Sequence, residues 1–278
     1  MKIFYQWVIG SYSHLVANIL NNSMDEDVDI EGKFSFKDIF EDIKNDNLWV
    51  IPIENGYAGS VIENFYNLSF YDVEIIGEYY KTINHHLLSV ADSLDKVKYV
   101  YSHPQALMQC EWFLSRNNLE AISVSDTATA AEYVSSQNNS SLAAISSSYC
   151  RDIYNLSSLA ESIQDQQGNT TRFFVIKKKN KEIALPQSYY EKFSSGSKGK
   201  ISLLFRTKHQ PASLYKCLGC FATRDINLTK IESLSARDNP FSYMFWIDCE
   251  WSLDDQFVKW ALEELDFFTS KLSVLGSY

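Results

Sequence analysis

Strand-like and helix-like stretches alternate through the first two thirds of the chain. Short apolar runs at residues 48–53, 97–101 and 142–145 are separated by segments whose apolar residues recur at helical spacing. Alternation of this kind is typical of α/β proteins, in which helices cover a largely parallel sheet. The sequence therefore predicts an α/β fold for residues 1–185.

The composition changes near Pro186. Residues 186–198 mix proline, glycine, serine and lysine without a period, which is typical of a linker or an exposed connection. Residues 199–278 then contain strand and helix patterns in the order βαββαβ. That order predicts a small ferredoxin-like module, separated from the α/β region by the linker.

The charge distribution argues against two classes of partner. The formal net charge is -10, and Lys and Arg are scattered, so neither nucleic acid nor an anionic membrane surface is an expected partner. No apolar run approaches the roughly 18–20 residues of a membrane span, and the N-terminus lacks a secretory signal pattern. The five cysteines lie mostly in apolar segments, which favours reduced thiols and a cytoplasmic protein.

Small polar residues follow several predicted strands, at the points where helices begin. Each could serve only as a helix cap. Together they predict a ligand site, because open α/β sheets bind ligands at the carboxyl ends of their strands and free helix amides suit carboxylates. The residues concerned are Gly10, Ser11, Ser13, Glu54, Asn55, Ser60, Ser102, Asp126 and Thr127.

Two further side chains are candidate ligand contacts. Arg172 follows Asn169, Thr170 and Thr171 at the entrance to an apolar strand, and its forked guanidinium matches a carboxylate. A surface arginine that pairs with a neighbouring acid would show the same pattern. Gln109 lies about two helical turns beyond Ser102, so these two side chains can share a face.

Motifs for metal or cofactor chemistry are missing from the sequence. It contains no GxSxG elbow, HExxH motif, Walker loop or GxGxxG fingerprint. The five histidines lack metal-ligand spacing, and the CxxC of Cys217 and Cys220 has no second pair. A site with no metal and no cofactor is therefore expected.

Several stretches resemble, in order and spacing, the prephenate dehydratase family. They read IPIENGYAGSVIENFYNL, SHPQALMQCEWFL, AAISSSYCRDIYNL and IQDQQGNTTRFFVI. The tail, with SLYKCLGCFATRDINLTKIES, NPFSYMFWIDCEW and the closing VLGSY, looks like the ACT regulatory domain that follows in this family. No chorismate mutase segment precedes the first strand, so the chain resembles the monofunctional form.

The resemblance implies decarboxylating dehydration of prephenate to phenylpyruvate in L-phenylalanine biosynthesis. It implies two α/β lobes like those of a periplasmic binding protein, with the substrate in the cleft between them. Thr171 would be the essential residue, and Arg172 would bind a substrate carboxylate. Asn55, Ser102 and Gln109 are further catalytic candidates, with Glu54 or bound water as the proton source. Further candidate substrate contacts are Ser11, Tyr12, Ser13, Ser60 and Thr170.

The ACT resemblance implies a phenylalanine effector site and a homodimer or homotetramer. The candidate effector residues are Ala212, Ser213, Leu214, Asn227, Leu228, Glu232 and Ser233. Two departures from the family pattern weaken this expectation: a glycine is missing from the PASL stretch, and no Arg-Pro follows residues 232–233. A third departure, Trp7 and Val8 in place of a usual glycine-proline pair, concerns only the shape of the loop after the first strand. Loss of feedback control is therefore one alternative.

Two alternatives for the activity stay open. The substrate could be arogenate, which carries an amine in place of the keto group of prephenate. The chain could also be a non-catalytic amino-acid sensor whose lobes only bind. A sensor would have no need for Thr171, Asn55, Ser102 and Gln109 together, which favours the enzyme.

Overall fold

The computed structural model describes residues 1–6, 8–33, 35–41, 43, 47–196, 198–237 and 242–278. Trp7, which belongs to the altered first loop, lies outside the described residues, as do residues 238–241. The described part of the chain forms two sheets covered by helices, in two lobes and a C-terminal module. It contains no helix that is both long and apolar enough to cross a lipid bilayer.

The first lobe contains the strands at one end of the larger sheet. Its elements are β1 (Lys2–Gln6), α1 (Tyr12–Asn21), β2 (Asp29–Lys33), α2 (Phe36–Glu41), β3 (Leu48–Asn55), β4 (Gly59–Ser60), α3 (Ile62–Phe70), β5 (Val73–Thr82) and β11 (Thr170–Lys178). The strand order is β5-β11-β3-β1-β2, with β1 parallel to β2 and β3. β11 returns from the second lobe and runs antiparallel between β3 and β5.

The second lobe has a sheet of its own. Its elements are β6 (His86–Ser89), a 3-10 turn (Leu94–Lys96), β7 (Tyr99–Ser102), α4 (Pro104–Gln109), α5 (Glu111–Arg116), β8 (Glu120–Ser123), α6 (Thr127–Gln137), β9 (Leu142–Ser146), α7 (Ser148–Ile153) and β10 (Ser157–Ala160). The strand order is β10-β6-β9-β7-β8. The chain enters this lobe through residues 83–85 and leaves it through residues 161–169, and these two crossing segments are joined by backbone hydrogen bonds from Ile83 to Asn169 and from Ile163 to His85. The predicted two-lobed α/β architecture is confirmed.

The C-terminal module has the predicted βαββαβ order. It follows α8 (Gln187–Phe193) and comprises β12 (Lys200–Thr207), α9 (Ser213–Ala222), β13 (Leu228–Ser235), β14 (Tyr243–Glu250), α10 (Gln256–Phe268) and β15 (Thr269–Ser277). Its strand order β13-β14-β12-β15 continues into the first lobe, where β15 pairs with β5. Gly276 sits opposite Ile75 at this junction, and a Cβ at Gly276 would lie 2.1 Å from the Ile75 carbonyl oxygen.

The interpretation of residues 186–198 as an exposed linker is corrected by the structure. Most of this stretch is α8, in which Tyr189 and Phe193 are fully buried and stack with ring centroids 5.2 Å apart. The Tyr189 hydroxyl donates to the Ile76 carbonyl oxygen at 3.0 Å. Two aromatic residues one helical turn apart provide the apolar face that holds this helix on the first lobe.

Candidate active site

A cavity of about 360 Å³ lies between the two lobes. Its size falls in the range of about 300–1,000 Å³ that is typical of small-molecule sites. The first lobe contributes Ser11, Tyr12, Ser13, Asn55 and Thr171, the second Gln109 and Asp126, and the crossing segments His85 and Asn169. The structure thus brings six of the eleven predicted catalytic and substrate-binding residues to one cleft.

A β-bulge in β3 places Asn55 beside Thr171. Phe173 pairs with Pro52 and Thr171 pairs with Asn55, so β11 advances by two residues where β3 advances by three. The extra residue reverses the alternation of β3, because each residue of a strand faces opposite to the one before it. Asn55 therefore lies on the same face as Pro52 and lines the cleft with it.

The hydrogen bonds of Asn55 determine how Thr171 is oriented. Asn55 Oδ1 accepts from the backbone N–H groups of Tyr57 at 3.1 Å and Ala58 at 2.9 Å. Its Nδ2 donates to Thr171 Oγ1 at 2.9 Å and to Asn169 Oδ1 at 2.7 Å. Because Thr171 Oγ1 accepts from Asn55, the Thr171 hydroxyl proton stays available for a ligand in the cleft.

These hydrogen bonds continue through Asn169 to Gln109 on the second lobe. Asn55, Thr171, Asn169, Gln109 and His85 together form the polar chain of the cleft. Asn169 Nδ2 donates to Gln109 Oε1 at 3.2 Å, and His85 Nε2 lies 2.8 Å from the same oxygen. Burial lowers the pKa of His85, so the ring is neutral near pH 7 and its Nε2–H donates to this oxygen. With Oε1 accepting twice, the Gln109 amide group is oriented to donate into the cleft.

Helices α1 and α6 begin at the cleft. Ser11 caps α1 by accepting from His14 N–H at 3.2 Å, and Asp126 caps α6 by accepting from Ala128 N–H at 2.8 Å. Gly10 makes the turn before Ser11 with φ 92°. No lysine or arginine is among the described residues that line the cavity. Binding of an anion there depends on helix N-termini and neutral donors, which favour carboxylates.

Arg172 does not line the cleft, so its predicted role as a substrate-carboxylate partner is corrected. It is 5% exposed and lies on the face of β11 opposite to Thr171, where it pairs with Glu78 and Asp248. Glu54 is corrected in the same way: it points toward the module and pairs with Lys230 at 2.9 Å. Neighbouring residues of a strand face opposite sides, so Asn55 and Thr171 face the cleft whereas Glu54 and Arg172 face the module.

Three other predicted site residues also lie away from the cleft. Ser102 is fully buried and its hydroxyl donates to the Ile145 carbonyl oxygen at 2.6 Å, which ties β7 to β9. Ser60 donates to Glu232 at 2.5 Å on the module side. Thr170 precedes Thr171 in β11 and its hydroxyl donates to the Gly168 carbonyl oxygen at 3.3 Å.

Two residues of the polar chain were missed as site residues. Asn169 lies two residues before Thr171, at the spacing that places side chains on one face of an extended chain, and this signal was available in the sequence. His85 is not among the candidate site residues, because the histidines show no metal-ligand spacing. Its contact with Gln109 joins residues 24 positions apart, and no local pattern predicts it.

The candidate effector residues divide between two places. Ala212, Ser213 and Leu214 form the start of α9, and Ser213 Oγ donates to the Lys208 carbonyl oxygen at 2.5 Å. Ala212 adopts φ 59° in the left-handed region, which glycine adopts without strain. Asn227, Leu228 and Ser233 belong to β13 or directly precede it, whereas Glu232 faces the first lobe and contacts Ser60.

Known proteins resemble this chain over most or all of its length. The sequence model of the prephenate dehydratase family matches residues 3–181. A prephenate dehydratase of Methanocaldococcus jannaschii is 34% identical over 99% of this chain and 97% of its own length. The arogenate dehydratase/prephenate dehydratase 2 of Arabidopsis thaliana is 34% identical over 100% of this chain and 72% of its own length.

A solved structure has the same fold. The prephenate dehydratase of Arthrobacter aurescens, determined in complex with L-Phe, aligns with a TM-score of 0.83 and 22% identity. The alignment covers 100% of this chain and 90% of that one. The matched sequence model and the Methanocaldococcus relative, aligned over nearly its full length, show that the chain belongs to the prephenate dehydratase family.

Proposed function

We propose that the protein converts prephenate to phenylpyruvate with loss of CO2 and water, the reaction that supplies phenylpyruvate for L-phenylalanine biosynthesis. The observation that carries this proposal is the hydrogen bond from Asn55 Nδ2 to Thr171 Oγ1, which leaves the Thr171 hydroxyl free to donate. The reaction needs such a donor, because the ring hydroxyl of the substrate must leave with its bonding electrons.

The chemistry follows from the substrate. As the ring carboxylate departs as CO2, the electrons of its C–C bond complete the aromatic ring and expel the ring hydroxyl, which takes up one proton and leaves as water. Thr171 stabilises the departing oxygen by donating to it, and the Gln109 amide is a second donor. A threonine hydroxyl and a bound water are both weak acids, so Thr171 donates a hydrogen bond without giving up its proton, and the proton comes from bulk solvent, relayed by water bound in the cleft.

Neither of two nearby titratable groups supplies this proton. Glu54 pairs with Lys230 outside the cleft. Burial lowers the pKa of His85, which keeps the ring neutral at physiological pH. Catalysis in this proposal rests on orientation and on stabilisation of the leaving oxygen, not on a strong acid.

The two substrate carboxylates need a site without cationic side chains. The start of α1 offers the backbone N–H groups of its first turn together with the Ser11 and Ser13 hydroxyls. Four N–H groups at a helix start have no partner within the helix, and they attract anions. We assign the side-chain carboxylate to this position, and the ring carboxylate to the drier part of the cleft near Phe173.

Arogenate is the second candidate substrate, since the Arabidopsis relative is named for both activities. The discriminating experiment is a side-by-side measurement of kcat/KM for prephenate and arogenate with purified protein. Formation of phenylpyruvate from prephenate supports the proposal, and formation of phenylalanine from arogenate with no activity on prephenate would replace it. Binding of both without turnover would support a sensor.

Residues 199–278 are proposed to be an ACT regulatory domain that binds L-phenylalanine. The βαββαβ order and the L-Phe complex of the Arthrobacter structure support this assignment. Ala212, Ser213, Leu214, Asn227, Leu228 and Ser233 remain candidate contacts, whereas Glu232 is engaged with Ser60. Titration calorimetry with L-phenylalanine tests the site, and light scattering with and without it tests the proposed homodimer or homotetramer.

A further inference from the structure

The two central cleft residues share their strands with residues that face the module. Thr171 is the cross-strand partner of Asn55, and Arg172 is the partner of Glu54. One side of this two-residue ladder holds the polar chain of the cleft. The opposite side holds ion pairs to the module, Arg172 with Asp248 and Glu54 with Lys230.

Arg172 is held by three groups at once. Its Nε donates to Glu78 Oε2 at 2.6 Å, its Nη1 to Asp248 Oδ2 at 2.5 Å and its Nη2 to the Tyr278 hydroxyl at 3.0 Å. Asp248 and Tyr278 belong to the module, and Glu78 to β5 of the first lobe. Burial by itself would lower the pKa of Arg172, and Tyr278, Asp248 and Glu78 outweigh it, so the net shift is upward.

The module side of this contact is a closed ring of hydrogen bonds. Ser202 Oγ donates to Asp248 Oδ1 at 2.6 Å, so the Tyr278 hydroxyl, 2.7 Å from Ser202 Oγ, donates to it in turn. Trp246 Nε1 also donates to Asp248 Oδ1, at 2.7 Å. Each donor in the ring has one acceptor, so the position of the guanidinium is determined by β12, by β14 and by Tyr278, which directly follows β15.

We propose that Arg172 is a positioning residue that fixes the Thr171 hydroxyl against the C-terminal module. This inference rests on the proposed function of Thr171. The peptide between the two residues is rigid, so a displacement of Arg172 moves the backbone of Thr171. A displacement of about 1 Å at a reacting group costs on the order of 10²-fold in rate. The module therefore contributes to basal catalysis, independently of any effector.

The experiment compares variants on the module that do not touch the cleft. Tyr278→Phe opens the hydrogen-bond ring with little change in shape, and Asp248→Asn removes the carboxylate. Glu264→Gln is the matched control for charge, because Glu264 pairs with Arg224 on the helical side of the module. Tyr215→Phe is the control for loss of a tyrosine hydroxyl, since Tyr215 is 79% exposed.

We expect kcat of folded enzyme to fall about tenfold in Asp248→Asn and a fewfold in Tyr278→Phe, with KM within twofold of wild type and both controls unchanged. If Arg172 acts through Thr171, the effect of Tyr278→Phe on kcat disappears in a Thr171→Val background. Unchanged kcat in Tyr278→Phe, or an equal effect in both backgrounds, would overturn the proposal. If Asp248→Asn does not fold, Tyr278→Phe alone decides.

Failure of the proposed function is a separate result. Wild-type protein that turns over neither prephenate nor arogenate refutes that function. Amide hydrogen exchange of β11 then still tests the positioning role: faster exchange at residues 170–172 in Tyr278→Phe than in Tyr215→Phe supports it, and equal exchange refutes it.

Discussion

Replacing Asn55 with aspartate reverses the hydrogen bonds of the cleft without changing its shape. The new carboxylate keeps the backbone donors of Tyr57 and Ala58 at 3.1 and 2.9 Å, so the local turn is retained. It has no N–H to offer, however, and the Thr171 hydroxyl at 2.9 Å would donate to the carboxylate instead of to the substrate. Asn169 Oδ1 would then lie 2.7 Å from another acceptor, so the Asn169 amide would have to rotate and would lose its hydrogen bond to Gln109.

The size of the effect follows from the donor that is lost. One oriented donor to a developing negative oxygen contributes about 10²–10³ in kcat, or about 2.7–4 kcal/mol. The added negative charge also repels a doubly anionic substrate, so KM rises as well. We therefore expect initial rates of phenylpyruvate formation to give a kcat at least about 10²-fold lower for Asn55→Asp at pH 7 to 8.

Asn139→Asp is the matched control for this experiment. Asn139 is exposed, and its Oδ1 only accepts, from the Ser141 backbone N–H and hydroxyl, so aspartate retains both bonds. The same charge is thus added far from the cleft. A kcat for Asn55→Asp within about threefold of Asn139→Asp would refute the assignment of hydrogen-bond directions, and with it the free Thr171 proton.

Three further predictions concern the supports of the cleft. Ser102→Ala should lower stability by about 1–3 kcal/mol, because the Ile145 carbonyl loses its partner, while kcat of folded enzyme stays within twofold; thermal unfolding and rates check this. Gly10→Ala should raise KM and lower Tm, since φ is 92° and the new Cβ would lie 2.8 Å from Cys150 Sγ; a wild-type KM would contradict it. Burial lowers the pKa of His85, so on acidification the unfolded chain takes up this proton at a higher pH than the folded chain. The stability that neutral His85 contributes is therefore complete above about pH 6.5, the pKa of an unfolded histidine, and is lost as the pH falls through the lower pKa of the folded state. His85→Gln should therefore lose less Tm between pH 7 and 5.5 than wild type.

The fold was predictable because its signals are local. Apolar runs alternating with helical spacing predicted the two lobes, and the last third predicted the βαββαβ module. The prediction of an exposed linker at residues 186–198 was wrong because it rested on the composition of the stretch and not on Tyr189 and Phe193, whose spacing matches one helical turn. Burial of those two rings against β5 then stabilises a helix that propensity alone would not predict.

The site was predictable in part, and strand geometry explains the errors. Asn55, Thr171 and Gln109 reach the cleft, whereas Arg172 and Glu54 take the opposite face of the same strands. Alternation along β11 could have separated Thr171 from Arg172 in advance. The partners of Arg172 could not have been foreseen, because Asp248 and Tyr278 lie 76 and 106 residues away in the chain. The bulge that turns Asn55 into the cleft depends on the pairing of β3 with β11, and Pro52 beside it is its mark in the sequence, because a central strand tolerates proline only at such irregularities.

The central claim is that the Thr171 hydroxyl donates to the oxygen that leaves the ring. Rates of phenylpyruvate formation from prephenate by wild type, Thr171→Ser and Thr171→Val measure this claim directly. We expect serine to retain most of kcat, because it keeps the hydroxyl, and valine to lose about 10²-fold or more with a KM close to wild type. A valine variant that changes KM alone, or keeps full kcat, would contradict the account.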